Sequence, residues 1–251
     1  MKKNVYHQES EIVTRQFEDQ VELYSHNNTD AQSEIVSFLK KKLKTFQKDT
    51  SPLKICEFGG GGGDLLATIE RSTLRKLELY NSELVLEYKK HQANKHIHFL
   101  NKSLLNSKMK DDTFDIVMVR NVIHHLVNTS LQETRKNQQH AIRELVRITK
   151  PGGLILIDEQ VNNSSLACTL FFTLSWLATK LKIRFDAFQV TPNTIVGYLM
   201  RNELIAYCDA CIPQKKWLAN SFFRWAPQLH WKMTMLMNDT GAAFLAMKKP
   251  L

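Results

Sequence analysis

Cysteine is scarce in this chain. Only Cys56, Cys168, Cys208 and Cys211 occur among 251 residues, and they are scattered. That excludes a secreted scaffold held by disulfides. The one close pair, Cys208-Asp-Ala-Cys211, has no second pair beside it. It reads as packing residues on one helix rather than as zinc or redox chemistry, and no metal site is expected. Long hydrophobic runs are missing too. The opening MKKNVYHQESEIV has no apolar core of a signal peptide. The longest charge-free stretch, 160–179, begins with four small polar residues at 162–165. That leaves about 14 mostly apolar residues, short of the roughly 20 that span a bilayer. A soluble, cytoplasmic protein is expected. Acidic residues are in deficit: 34 Lys and Arg face 25 Asp and Glu, for a formal charge of +9. An acidic partner is therefore allowed, but the basic residues are spread along the chain. The densest cluster, LKKKLKTFQK (39–48), sets Leu39, Leu43 and Phe46 at helical spacing, so its lysines form the wet face of an amphipathic helix.

What the chain does contain is an alternation of strands and helices. Residues 9–48 read as two helices. The first carries Val13, Phe17, Val21 and Tyr24, and the second opens at a Thr29-x-x-Gln32 capping box. Strand patterns follow at 53–58, 74–80, 96–100, 113–119 and 154–158. Helical patterns lie between them at 64–72, 82–91 (with Ser82 as N-cap) and 132–149. Such alternation builds βαβ units and a parallel sheet, and near-continuous apolar strands belong to a sheet covered on both faces. Beyond Asp158 the rhythm breaks. Residues 161–212 read as mostly helical, with leucines at 166, 170, 174, 177 and 181, and Thr191-Pro192 as a further helix start. A last strand is expected at 241–249. Its partner is either 231–238 or 214–220.

Five glycines in a row, Gly59–Gly63, separate the first strand from the first helix of the alternation. A linker does not sit between a buried strand and the helix that follows it. A dinucleotide fingerprint needs glycine where Asp64 stands, and a phosphate-binding Walker loop needs Lys-Ser/Thr where Asp64-Leu65 stands. What remains is Glu57-x-Gly59-x-Gly61-x-Gly63.

In that pattern the sequence resembles the class I S-adenosylmethionine-dependent methyltransferases of the small-molecule, type 11-like kind. DDTFDIVMVRNVIHHL (111–126) is similar to their fourth strand and the segment after it, and AIRELVRITKPGGLILIDE (141–159) to their helix, Pro-Gly-Gly turn and fifth strand. FEDQVELY (17–24) is similar to the N-terminal helix that lids the cofactor. The resemblance implies a Rossmann-like, doubly wound α/β sheet of about seven strands, the last antiparallel. It implies one domain: an N-terminal helical lid (1–50), a cofactor-binding core (51–160), a helical substrate cap inserted after strand five (161–232) and a C-terminal strand (233–251).

The cofactor implied is S-adenosyl-L-methionine, held by Glu57, Phe58, Gly59, Gly61, Gly63, Tyr80, Asn81, Ser103, Leu104 and Asn121. Glu57 suits the cationic amino group. Only Gly59, Gly61 and Gly63 are expected to need smallness, so Gly60→Ala is expected to be tolerated and Gly61→Val is not. The chain departs from the family at two polar anchors. The acid that ends the second strand is replaced by Tyr80, with Glu78 too early, and Ser103 stands in the place of an Asp after the third strand. Candidate catalytic residues are His124, His125 and Glu159, near the C-terminal ends of strands four and five, where open α/β sheets bind ligands. Adjacent helical residues do not share a face, so at most one histidine is expected to point inward. Residues 120–123, Arg-Asn-Val-Ile, lack the motif of base-amine methyltransferases.

The segment 161–232 holds Phe171, Phe172, Trp176, Phe185, Phe188, Tyr198, Trp217, Phe222, Phe223 and Trp225. A cap so aromatic points to methyl transfer, at oxygen or carbon, onto a hydrophobic or aromatic small molecule. Nucleic acid is not the expected partner, and contact of 166–181 with a membrane surface is left open. Two other readings stand beside this one: an RNA methyltransferase, motivated by the basic charge, and a catalytically degenerate binding protein on the same fold, motivated by Tyr80 and Ser103.

Overall fold

The structure, a computed structural model, describes residues 17, 18, 21, 34–44, 51–185, 190, 192, 194–224 and 240–251. Seven strands form one sheet in the order β3-β2-β1-β4-β5-β7-β6. They are β1 (Leu53–Phe58), β2 (Leu77–Glu83), β3 (His98–Asn101), β4 (Phe114–Arg120), β5 (Thr149–Asn162), β6 (Lys216–Arg224) and β7 (Thr240–Lys248). The first five pair in parallel, and β7 runs antiparallel to both β5 and β6. The expected doubly wound sheet with an antiparallel last strand is what the chain forms.

Both faces of the sheet are covered, as its apolar strands require. Along β4, Ile116 and Met118 enter one core while Val117 and Val119 enter the other, all fully buried. Helices α1 (Glu34–Leu43) and α2 (Asp64–Arg71) close the first core through Ile35, Leu39, Leu43, Leu66 and Ile69. The lysines of α1 lie on its other side, three of them in its last turn, where they also suit the helix dipole. Helix α3 (Leu131–Ile148) closes the second core with Ile142, Leu145 and Ile148, joined by Leu204 and Cys208 of α5 (Arg201–Cys211). Cys208 is thus packing, and Cys211 is half-buried on the same helix. Each such apolar side chain contributes about 1.5–3 kcal/mol on burial.

Two elements differ from the sequence reading. The second strand does not stop at Tyr80, and no helix begins at Ser82. Strand β2 runs on to Glu83, and a short 3₁₀ turn occupies Leu86–His91 after Val85. Asn81 and Ser82 resemble a helix start only while their side chains lack partners. Here the Asn81 amide donates to the Gly61 carbonyl (2.8 Å) and the Ser82 hydroxyl to the Lys102 carbonyl (3.2 Å), both from other segments.

The second difference lies in 161–232. Strand β5 extends to Asn162, α5 covers the sheet beside α3, and 216–224 is a sheet strand rather than part of a cap. Trp217 and Phe222 accordingly pack on the sheet core. The partner of β7 is the 214–220 alternative, extended to Arg224. The capping portion narrows to α4 (Ser165–Leu181) and the segment 194–200. The expected helix positions Val13 and Tyr24, the Thr29–Gln32 box, Phe46, Lys48, Phe188, Thr191, Trp225 and the 231–238 strand lie outside the described residues.

Candidate active site

The C-terminal ends of β1, β2, β4 and β5 open onto a cleft of about 420 Å³, within the range of ligand pockets. The glycine run forms its floor. Gly59, Gly61 and Gly63 all have positive φ (68°, 53° and 80°), a conformation that L side chains rarely adopt. Gly60 and Gly62 are constrained by crowding instead. A Cβ at Gly60 would lie 2.6 Å from Asn81 Oδ1 and 2.7 Å from Glu57 Oε2; at Gly62 it would lie 2.7 Å from the His91 carbonyl oxygen. Alanine at Gly60 would thus require the ends of the Asn81 and Glu57 side chains to shift, whereas at Gly62 it would meet backbone.

The loop is held by hydrogen bonds. The Gly59 amide donates to the Ser82 carbonyl (2.8 Å), and Ala93 donates to the Gly62 carbonyl (2.8 Å). The Gly61 amide donates to Glu83 Oε2 (3.1 Å), whose Oε1 accepts from the Leu84 amide (2.7 Å). Glu83 lines the cleft. Burial pushes its carboxyl up, partly offset by the three amides that bond it. The acid that ends the second strand is therefore present, and it is Glu83. It lies about 20 residues beyond the loop, the interval at which such an acid meets a ribose in related βαβ sites.

Tyr80 does not reach the cleft. Its ring stacks on His98 at 4.9 Å and meets Phe114 edge-on at 5.2 Å. Its hydroxyl donates to Glu78, which with burial pushes the phenol up to about 12. The assignment of Tyr80 to the cofactor is thereby withdrawn. Asn81 is buried behind the loop and acts on it rather than on a ligand. Ser103 accepts from the Leu105 amide (3.1 Å) and bridges to Asn106, while its neighbour Leu104 is the wall residue. Of the other expected cofactor residues, Glu57, Phe58, Gly59, Gly61 and Asn121 line the cleft, and Gly63 sits just behind as the N-cap of α2. Asn121 has φ 53° and donates its amide to the Asp158 carbonyl (2.9 Å). Phe17, Gly60, Asp64, Leu84, Tyr88, Arg120, Val122, Leu126 and Gln160 complete the lining.

The opposite wall is built on a 3₁₀ turn, Ile123–His125. The carboxylate of Glu159, buried on β5, anchors it. Oε2 accepts from the amides of Val122 (3.1 Å) and Ile123 (2.7 Å), and Oε1 bonds His124 Nδ1. Gly197 donates to the His124 carbonyl (2.8 Å). Both histidine rings border the cleft, 4.0 Å apart between centroids. The expectation that only one faces inward fails because this turn is a single tight 3₁₀ step rather than a helix. Tyr198 stacks on His124 at 5.3 Å and takes a bond from the Gln160 amide (3.2 Å).

His125 meets Phe17 edge-on at 4.9 Å. Its pKa is driven well below the usual 6.5, first by desolvation and then by the charge of His124, with a backbone bond to Ile195 opposing. Asp158 is pushed up to about 6 by burial, with Arg120 opposing and the charges of Glu159 and Glu34 adding to the rise. A carboxylate accepts, so the proton of this bond sits on Nδ1, and Nε2 is the ring nitrogen left to face a ligand.

The cap aromatics divide in two. Phe172 and Trp176 pack with Phe17, Val127 and Ile195; Phe171 and Phe185 pack with Tyr198. Phe171 meets Tyr198 at 6.0 Å, edge-on. The cap is thus one layer behind His124.

Residues 56–157 match a family model described as a methyltransferase domain. No curated protein matches the sequence. Among solved structures, a sarcosine dimethylglycine methyltransferase of Galdieria sulphuraria, so described provisionally, aligns over 86% of this chain and 85% of its own at 11% identity, TM-score 0.56. A geranyl diphosphate methyltransferase, solved with GPP and sinefungin, aligns over 85% and 77% at 9% identity, TM-score 0.56. The cyclase SpnF aligns over 85% and 80% at 13% identity, TM-score 0.55. At these identities the likeness is one of fold, and a fold hosts more than one chemistry.

Proposed function

We propose that the chain is a class I S-adenosylmethionine-dependent methyltransferase, a reading supported by the family match over 56–157, and that it methylates a hydrophobic or aromatic small molecule at oxygen or carbon, with His124 as general base. The observation that carries the proposal is the buried His124–Glu159 pair on the cleft wall facing the glycine loop and Glu83.

The residues present fit S-adenosylmethionine. Glu57 is an anion for its ammonium group. Glu83 is a carboxylate for the ribose hydroxyls. The glycine floor has no side chain where the cofactor must lie close. Bound there, the cofactor supplies an electrophilic methyl group on a sulfonium. The chain's own work is alignment and proton removal. Glu159 holds the imidazole through Nδ1 and ties it to the turn through two backbone amides. Nε2 of His124 takes the proton of the acceptor hydroxyl or acidic C–H, which thereby becomes nucleophilic. Phe17, Leu84 and Leu126 supply apolar lining to the cleft, and the aromatics of α4 back the acceptor wall.

Glu83 favours this reading over a catalytically degenerate binding protein, whose motive was a missing acid. The dyad is tested by screening phenols and hydroxylated apolar acids for release of S-adenosylhomocysteine. On any accepted substrate, His124→Gln and Glu159→Gln are expected to lower kcat by about 10²–10⁴, with cofactor affinity unchanged. Full kcat in His124→Gln would overturn the assignment.

A further inference from the structure

Helix α4, SLACTLFFTLSWLATKL, contains no acid and one base. Its inner face is buried through Ala167, Cys168, Phe171, Phe172, Ser175 and Ala178. Its outer face sets leucines among the small polar residues Ser165, Thr169 and Thr173, which are exposed. Leu166, Leu170, Thr173, Leu177 and Leu181 follow one another at three- and four-residue steps, which places them along a single stripe. Leu166 is 73% exposed and Leu181 is 57% exposed, with Leu170 and Leu177 half-buried between them. Ile183, just past the helix, is 40% exposed. The outer stripe is thus a mixed face with exposed leucines at its two ends, the kind of face an amphipathic helix turns to an interface.

The charged residues described at the C-terminal end of the stripe are of one sign. Lys180, Lys182 and Arg184 are exposed at its C-terminal end, and Lys180 lies over the Trp176 ring at 4.6 Å. The chain as a whole carries a formal charge of +9. At 17 residues α4 is too short to cross a bilayer, and no described helix is long and apolar enough to do so. It can lie in an interface. Leucines that enter the acyl boundary beside basic groups that stay at the headgroups are the pattern of interfacial helices. Charge complementarity selects an anionic surface.

We propose that the outer face of α4, with Leu166, Leu181 and Ile183 as anchors and Lys180 and Lys182 as headgroup contacts, docks the protein on anionic lipid bilayers. Because the inner face of the same helix backs the wall behind His124, docking sets the acceptor side of the cleft beside the lipid phase. An apolar acceptor dissolved in the bilayer would then reach the site without crossing water. The docking claim rests on α4 alone and not on the acceptor proposed above, so loss of vesicle binding and loss of turnover on soluble acceptors report on different statements.

The test is flotation of the full chain with vesicles of phosphatidylcholine alone and of equal parts phosphatidylcholine and phosphatidylglycerol. Binding to the anionic vesicles is expected, with little to the neutral ones, and it should fall as salt is raised. The double variant Leu166→Ser/Leu181→Ser should weaken the partition by at least about tenfold. Lys180→Gln and Lys182→Gln should weaken it by about fivefold each. Circular dichroism and thermal unfolding check that these surface variants stay folded. Failure to float with either vesicle would overturn docking, as would a double variant that floats like the wild type. So would light scattering that shows a dimer split by the same double variant, because the stripe would then be a contact between copies.

Discussion

One added methyl group separates the two accounts of the glycine run. If only cofactor contact demanded smallness, alanine at position 60 would be harmless. In the structure its Cβ meets the Asn81 amide and the Glu57 carboxylate at under 3 Å, both held in the buried floor. Gly60→Ala should therefore weaken cofactor binding, though less than Gly61→Val, the first by crowding side-chain ends that can shift and the second by backbone strain. Isothermal titration with S-adenosylmethionine would check this, and an unchanged affinity in Gly60→Ala would contradict it. A second residue-scale prediction concerns His125. The folded state keeps it neutral, whereas the unfolded chain binds its proton below pH 6.5. The unfolded state thus holds more protons in that window, and stability falls as pH falls through it. Urea unfolding of wild type should lose up to about 1.4 kcal/mol through this group one pH unit below 6.5, and His125→Asn should lack that loss. Glu83 was hidden in the sequence because Asn81-Ser82 has the look of a helix start. What keeps the strand going is a pair of partners, Gly61 and Lys102, each about twenty residues distant along the chain, which no local pattern reveals.

At the scale of elements, the strands buried on both faces were legible outright, whereas the edge strand β6 was legible only as one of two candidate partners for the last strand. β1, β4 and β5 announce themselves as branched apolar runs. β6 does not, because it is the sheet's outer strand and most of its residues are open to solvent. Its place is set by β7, where Gly241 lets the two backbones approach: a Cβ there would lie 2.3 Å from the Phe223 carbonyl oxygen. Gly241→Ala should disrupt the β6–β7 pairing at an overpacking cost of about 1–3 kcal/mol. Calorimetric Tm should drop by about 2–4 °C for each kcal/mol lost, with hydrogen exchange rising first over 216–224. A Tm equal to wild type would mean that the close approach is not needed. The cap is joined to the site by Ser175, whose hydroxyl accepts from the Val196 amide (3.2 Å) next to Gly197, the residue that holds the His124 carbonyl. The helical stretch after strand five was foreseen, and 214–220 stood as one of two ways to extend the sheet, but not that α5 returns to cover the sheet beside α3.

For the whole molecule, strand order and handedness bring together residues far apart in sequence: Glu57, the glycines, Glu83, His124 and Glu159. The motifs at 57–63 and 141–159 are enough to place β1 and β5, and hence the end of the sheet where the cleft lies. They do not fix which acid faces the cleft, because that depends on where β2 ends. The account therefore turns on Glu83. Its most direct test is a calorimetric titration of S-adenosylmethionine into the wild type, Glu83→Ala and Tyr80→Phe. Saturable one-site binding is expected for the wild type, weakened roughly 10- to 100-fold in Glu83→Ala and unchanged in Tyr80→Phe. No binding by folded wild type at millimolar cofactor, or a loss in Tyr80→Phe as large as that in Glu83→Ala, would contradict it.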